Sequence, residues 1–573
     1  MNRIRICLLT AVAVLVGFVA YGWLSRPAMQ GADSPGFSAE RVVKDIEVIS
    51  RNHHSVAHPE ERAEVRNYLV SRLGELGADT VRLFEYQALT GPEKKHVEYT
   101  FDATNVLATF APEQPSEQPT YLLMVAHYDS RYSQPIGKND TVWSYGAADD
   151  GYGVGVILES VKQALKYRAD WKQGVKVLFT DAEEVGMKGM KAMWENNREE
   201  FNDVGLMINL EARGPFGPAL LFETSPGNEK LMELYETAAE YPFTYSLTTV
   251  VYRFMPNFTD FTIVKDDIPG MNFSTIADIN HYHTDLDNFS NVNAKSIQHY
   301  GSQVVPIVHE YLTNDKYTDR SSLVSSADTI NFTLPLLGLF NFTKGEYILF
   351  NSIVFVLFAI ALVIETVRGR VQIKKVLRCA LKALLAALAA LVAGELIAFL
   401  LCCVTGVTFK PFGIVQGISF DNAAMVVMVV VMVLSVVAVY VIKRNKAVDR
   451  TSGSLRQSAG TSAALAVARN GLFGILLLMM VLSLLLLLFI NENLMFFIPL
   501  LLATVAVVLY RLTKLKLWFL LAIALILLHA FSFLYALAMA LTIGAVGAVL
   551  MLAMLDVLVV VPLVDMYITR RPY

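Results

Sequence analysis

A chain of 573 residues that is 54% hydrophobic, with a mean hydropathy of +0.44, is too apolar for an ordinary soluble protein. Its formal net charge of -4 is mild and no basic run with interleaved aromatics occurs, which sets nucleic-acid binding aside. The four cysteines, Cys7, Cys379, Cys402 and Cys403, all lie in or beside apolar spans, so disulfides do not staple the more polar part of the chain.

In chain order, Arg3 and Arg5 precede an apolar run over residues 6–24. The run approaches the roughly 20 residues that cross a bilayer, and Ser25-Arg26-Pro27 is a poor cleavage site, so residues 1–30 are expected to form a signal anchor. Residues 31–343 mix charged and apolar side chains as a globular domain does, and roughly 300 residues bury one core unaided. Runs of strand length at 121–126, 175–180 and 206–210 surround a helical pattern over 151–167. The expected fold is α/β, with a mostly parallel central sheet flanked by helices.

Each of those strands ends in a polar cluster: His127-Tyr128-Asp129, Asp181-Ala182-Glu183-Glu184, and Glu211. Asp149-Asp150-Gly151 stands before the helix, and His281-Tyr282-His283-Thr284-Asp285 follows the apolar segment 268–276. Ligands of open α/β sheets bind beyond the carboxyl ends of the strands, so these clusters are expected at one edge.

Residues 344–573 are nearly continuous Leu, Val, Ala, Ile and Met, as in a polytopic helical membrane domain of about seven helices. Spans are expected near 347–364, 380–404, 423–442, 471–490, 494–510, 517–537 and 538–561, which makes about eight with the anchor. Arg368, Arg370, Lys374, Lys375 and Arg378 fall between the first two; Lys443, Arg444, Lys446, Arg450 and Arg456 follow the third. Arg511, Lys514 and Lys516 follow the fifth, and Arg570 and Arg571 end the chain. The alternate loops carry almost no positive charge, so the positive-inside rule puts residues 31–343 outside the cytoplasm and both termini inside. Glu395, His529 and Asp556 lie within apolar spans, where ionisable groups are costly; without paired motifs they imply no transport function.

Imidazoles and carboxylates without thiolates suit one or two zinc ions that keep positions open for water. Two ions about 3.5–4 Å apart need a bridging carboxylate. A neighbouring carboxylate that binds neither ion is free to move a proton, and the Glu183-Glu184 pair offers one residue for each task. Singly, an Asp-Asp-Gly is a turn and glutamates opening a helix are dipole partners; the ordered combination is what points to chemistry. His53, His54, His58, His96, His299 and His309 have no partners of this kind and read as structural.

Over residues 105–291 these motifs resemble the co-catalytic di-zinc exopeptidases of metallopeptidase family twenty-eight, in particular its membrane-embedded endoplasmic-reticulum and vacuolar branch. The resemblance implies two Zn2+ ions and a peptide substrate. It implies that His127 binds the first zinc with Asp129 orienting its ring, that Asp149 bridges both ions, and that Glu211 completes the first shell. Glu183 would then be the general base and Glu184 a ligand of the second zinc; the last ligand would be His283, with Thr284 and Asp287 downstream, rather than His281. An aminopeptidase is the expected activity. A carboxypeptidase shares these motifs, and a glutaminyl-cyclase-like transferase works with one zinc, against which the retention of His127 and Glu211 argues. A non-enzymatic scaffold or transporter with a peptidase-like binding domain is the remaining alternative. The compact length fits a bacterial inner-membrane protein better than an endoplasmic-reticulum or vacuolar one, and the sequence is silent on oligomeric state.

Overall fold

The computed structural model describes residues 2–24, 27–91, 100–115, 117–131, 134–136, 140–253, 258–418 and 456–569. It divides into two compact units. A helical unit comprises Met1–Trp23, Leu334–Leu337 and Gly345–Tyr573, and an α/β unit comprises Leu24–Thr333 and Gly338–Lys344.

The α/β unit is built on seven strands: β1 (Thr80–Thr90), β2 (Thr100–Phe110), β3 (Tyr121–His127), β6 (Gly174–Thr180), β7 (Val204–Ala212), β8 (Phe216–Thr224) and β9 (Gly270–Ala277). Two short hairpins, β4 (Gln134–Ile136) with β5 (Asp140–Val142) and β10 (Thr329–Leu334) with β11 (Gly338–Thr343), stand apart from it. The sheet order is β1-β2-β6-β3-β7-β9-β8. Pairing is parallel among the four central strands, β6, β3, β7 and β9, and antiparallel at both edges. Every residue of the four central strands is buried, as expected where helices cover both faces.

The period of two divides the core cleanly. Leu122, Met124 and Ala126 of β3 join Val175, Val177 and Phe179 of β6 in a large core with helices Ala39–Ile49, Gly151–Ala164 and Ala294–Thr313. Leu123 and Val125, with Leu178, face the other way onto Met190 and Met193 of the helix Lys188–Asn196. Because the four central strands are parallel, their carboxyl ends, at His127, Thr180, Ala212 and Ala277, share one edge of the sheet.

Among the described residues the helical unit holds the anchor-like helix Asn2–Leu24 and six further helices, and seven segments are long and apolar enough to cross a membrane. The expected span at 423–442 and the charges at 443–450 and 570–571 lie outside the described residues. The last pair differs from expectation: the helix Leu517–Leu541 runs four residues beyond 537, and the next begins at Val546. Nothing at Ala538 breaks a helix. Thr542 takes φ 57°, its Oγ1 donates to the Val415 carbonyl and accepts from the Val415 amide, and at Gly544 a Cβ would lie 1.9 Å from the Gly413 carbonyl oxygen. The turn therefore sits where a polar side chain and an absent side chain coincide. Several polar groups inside the unit are paired with one another. Fully buried Glu365 meets Arg370 and Arg511, while Asn493 accepts from Tyr347 and donates to Asn351.

Candidate metal centre

His127 is the last residue of β3, and its Nε2 lies 3.3 Å from Asp149 Oδ1 and 3.8 Å from Glu211 Oε2. His283 Nε2 lies 3.4 Å from the other oxygen of the same carboxylate, Asp149 Oδ2, and 3.1 Å from Glu184 Oε2. Two trios result, His127-Asp149-Glu211 and Asp149-Glu184-His283, each with its ligand atoms within 4.8 Å of one another. They share Asp149, one oxygen of which faces each histidine.

Local structure explains these placements. Asp149 stands just before the helix Gly151–Ala164, whose N-cap Asp150 accepts from the Gly153 amide at 3.0 Å, and the Asp149-Asp150 peptide bond is cis. The segment is gripped from a distance: Asp287 accepts from the Ala148 amide at 2.6 Å, the Asp149 amide at 3.3 Å and Ser144 Oγ at 2.9 Å. Glu183 and Glu184 follow β6 in a turn that closes tightly, since a Cβ on Gly189 would lie 2.2 Å from the Asp181 carbonyl oxygen. The Asp129 carboxylate accepts from the backbone amides of Glu183 and Glu184 at 2.9 and 3.4 Å. The His127 ring is met at Nδ1 by the Asp129 carbonyl at 2.9 Å, with the Asp129 carboxylate at 3.6 Å. Asp129 thus braces two segments at once.

Glu183 belongs to neither trio and lines the adjoining pocket with Asp149 and Glu211. His283 is held at φ 60°, a left-handed conformation that costs a non-glycine residue about 1–3 kcal/mol, and Tyr282 stacks on its ring at 3.6 Å. His281 is turned away, its Nδ1 3.4 Å from Asp278 Oδ2. Two residues escaped sequence reasoning. Arg131 bonds the Glu184 carbonyl at 2.6 Å and Oε2 at 3.0 Å, and buried Asp260 accepts from Thr180 Oγ1. Arg131 follows the His127 motif closely enough to be suspected, but nothing in the sequence ties Asp260 to this edge.

The electrostatics are those of a site short of positive charge. Burial, reinforced by Asp149 and Asp260 and opposed by His127, pushes Glu211 up to about 8. Burial likewise raises Asp260 to about 6, and drives Glu183 and Asp150 well above the usual carboxyl range. In Glu184 the burial that would raise it is outweighed by His283 and Arg131, and it is lowered. Both histidines are raised against burial, His127 by Asp129 and Asp149, His283 by Glu184 and Asp149. Packed carboxylates of this kind are relieved by divalent cations, and one imidazole with two carboxylates per position is a hard-to-borderline donor set that fits zinc.

An α/β domain with two imidazole-carboxylate clusters at the carboxyl edge of its parallel strands defines the class. Residues 105–308 match Peptidase family M28. Endoplasmic reticulum metallopeptidase 1 of Mus musculus is 28% identical over 232 residues, 39% of this chain and 24% of that protein. The Vacuolar membrane protease of Saccharomyces cerevisiae (strain YJM789) is 26% identical over 324 residues, 53% of this chain and 30% of that protein. The match therefore spans less than a third of either relative. Among solved structures, the glutaminyl cyclase of Porphyromonas gingivalis aligns at TM-score 0.38 and 19% identity, over 48% of this chain and 99% of that one. BSAP, a zinc aminopeptidase from Bacillus subtilis, aligns at TM-score 0.38 and 14% identity, over 51% and 99%.

Proposed function

We propose that the chain is a membrane-bound di-zinc metallopeptidase that removes N-terminal residues from peptides. The observation that carries this reading is the shared carboxylate: Asp149 offers one oxygen to each of two complete trios. His127, Asp149 and Glu211 would hold one zinc, and Asp149, Glu184 and His283 the other. Zinc at these positions would supply polarisation of the scissile carbonyl and a more acidic water. Glu183, partly exposed in the pocket and outside both trios, would take a proton from the attacking water and deliver it to the leaving amine nitrogen. Asp129 keeps the His127 ring and the Glu183-Glu184 backbone in register with each other.

The apolar helices and the distribution of Arg and Lys support a multi-pass protein, here read as bacterial, with its α/β unit outside the cytoplasm. Its residues 31–343 would carry the chemistry, between an anchor at 1–30 and a membrane domain at 344–573. The test is cleavage of a peptide mixture by the detergent-solubilised full chain, read by mass spectrometry, alongside its zinc content. Shortening from the N-terminus with about two zinc ions per chain is expected. Shortening from the C-terminus makes it a carboxypeptidase, and an intact mixture refutes the peptidase reading.

A further inference from the structure

Beside the metal centre lies a small pocket. Glu183 and Glu211 line it together with Arg213, Phe222, Tyr252 and Tyr282. Arg213 follows β7 directly, its backbone amide fixed to the Thr275 carbonyl at 2.8 Å. Its guanidinium carbon stands 5.7 Å from the Tyr282 ring centroid, and Tyr282 in turn stacks on His283. This stack sets the guanidinium in a fixed place relative to the second trio.

Among the described residues, Nε and Nη2 of Arg213 are buried without a hydrogen-bond partner. They form the donor edge with which a guanidinium grips a planar oxyanion through two parallel bonds. The Tyr252 hydroxyl is likewise buried without a partner and lines the same pocket. Three unanswered donor atoms on two residues of one small pocket are expensive unless a ligand answers them. Neither Glu183 nor Glu211 forms an ion pair with Arg213 among the described residues, although all three line the pocket.

We infer that Arg213 and Tyr252 are specificity-determining residues that bind a carboxylate of the substrate, so that the enzyme prefers peptides carrying that charge within one or two residues of the cleaved bond. The inference rests on the peptidase reading, under which the anion a peptide offers is a carboxylate. Its source is an acidic side chain or the terminal carboxylate of a very short peptide.

Two matched pairs separate the sources in the zinc-loaded full chain. Glu-Ala-amide against Gln-Ala-amide tests the side chain, and Leu-Ala against Leu-Ala-amide tests the terminus. In one pair the charged member should be preferred in kcat/KM by on the order of 10–100-fold. Arg213→Gln should collapse that ratio to within a few-fold, Arg213→Lys should retain part of it, and Tyr252→Phe should lower it by less. Absence of preference in both pairs, or a ratio that Arg213→Gln leaves intact, overturns the inference. If no peptide is cleaved at all, the peptidase reading falls, and thermal shift of the full chain still decides the pocket. Stabilisation by Glu-Ala-amide over Gln-Ala-amide, or by Leu-Ala over Leu-Ala-amide, that Arg213→Gln abolishes supports it; equal shifts within both pairs overturn it.

Discussion

Exchanging Glu183 for glutamine keeps the length and shape of the side chain and removes only its ability to accept a proton. The backbone amide of residue 183 still donates to Asp129, and neither metal trio loses a member, because Glu183 is in neither. Folding and metal content should therefore be near those of the parent. The catalytic cost is that of general base catalysis, on the order of 10²–10⁴-fold in kcat, or about 2.7–5.4 kcal/mol in the barrier. Glu184→Gln is the informative contrast. Its carboxylate Oε2 stands 3.1 Å from His283 Nε2 and 3.0 Å from Arg131 Nη1, so the amide removes a charged donor from the second trio and the partner of a partly buried guanidinium. A neutral amide is a far weaker zinc ligand, so zinc at the second position should fall toward zero together with activity, and excess zinc should restore part of both. Excess zinc should do nothing for Glu183→Gln. Steady-state kinetics and bound zinc by atomic emission, measured on both variants, decide the matter. A Glu183→Gln protein within a few-fold of parental kcat, or one that loses zinc as Glu184→Gln does, refutes the assignment of the two roles.

His127→Ala and His283→Ala should each lower zinc from about two ions per chain toward one, and a parent that binds only one ion irrespective of His127 favours cyclase-like chemistry. Buried His299, pushed down to about 3 by desolvation, accepts at Nδ1 from the Ala219 amide at 3.1 Å and faces Gln303 Nε2 there at the same distance, so it is neutral in the fold. The unfolded state binds the proton first, so the contribution of His299 is whole above pH 6.5 and is lost on acidification toward pH 3, by up to about 1.4 kcal/mol per pH unit. Thermal unfolding of the full chain in detergent should show a shallower acid dependence for His299→Gln, and an unchanged slope counts against this origin. Alkaline phosphatase fused after Thr343 should be active and after Tyr573 inactive; the reverse pattern inverts the proposed topology.

Three of the four central strands, β3, β6 and β7, were legible because each is built on a short, mainly apolar run of strand length. The antiparallel edge was not, since β1 alternates irregularly between exposed and half-buried positions and carries no continuous run. The five metal-site candidates were visible because each sits within a few residues of a strand end or helix start, where the fold must bring it to the common edge. What the sequence withheld is the bracing. Asp260 reaches the site through Thr180, 80 residues earlier, and Asp287 acts on backbone amides that any residue type presents. The boundary near Thr542 was missed because an uninterrupted apolar sequence encodes no turn until Gly413 is known to lie against Gly544.

The bond between Asp287 and the Ala148-Asp149 backbone ties the loop that carries His283 to the segment that carries the shared carboxylate. Displacing that loop therefore disturbs the second trio through His283 and the first through Asp149 in the same movement. On the proposed reading the two trios are in this sense one mechanical part: a metal at one would stiffen the other, and displacing either loop would weaken both. Metal loading should accordingly be cooperative in the intact protein, and Asp287→Ala should convert it into two independent weak events.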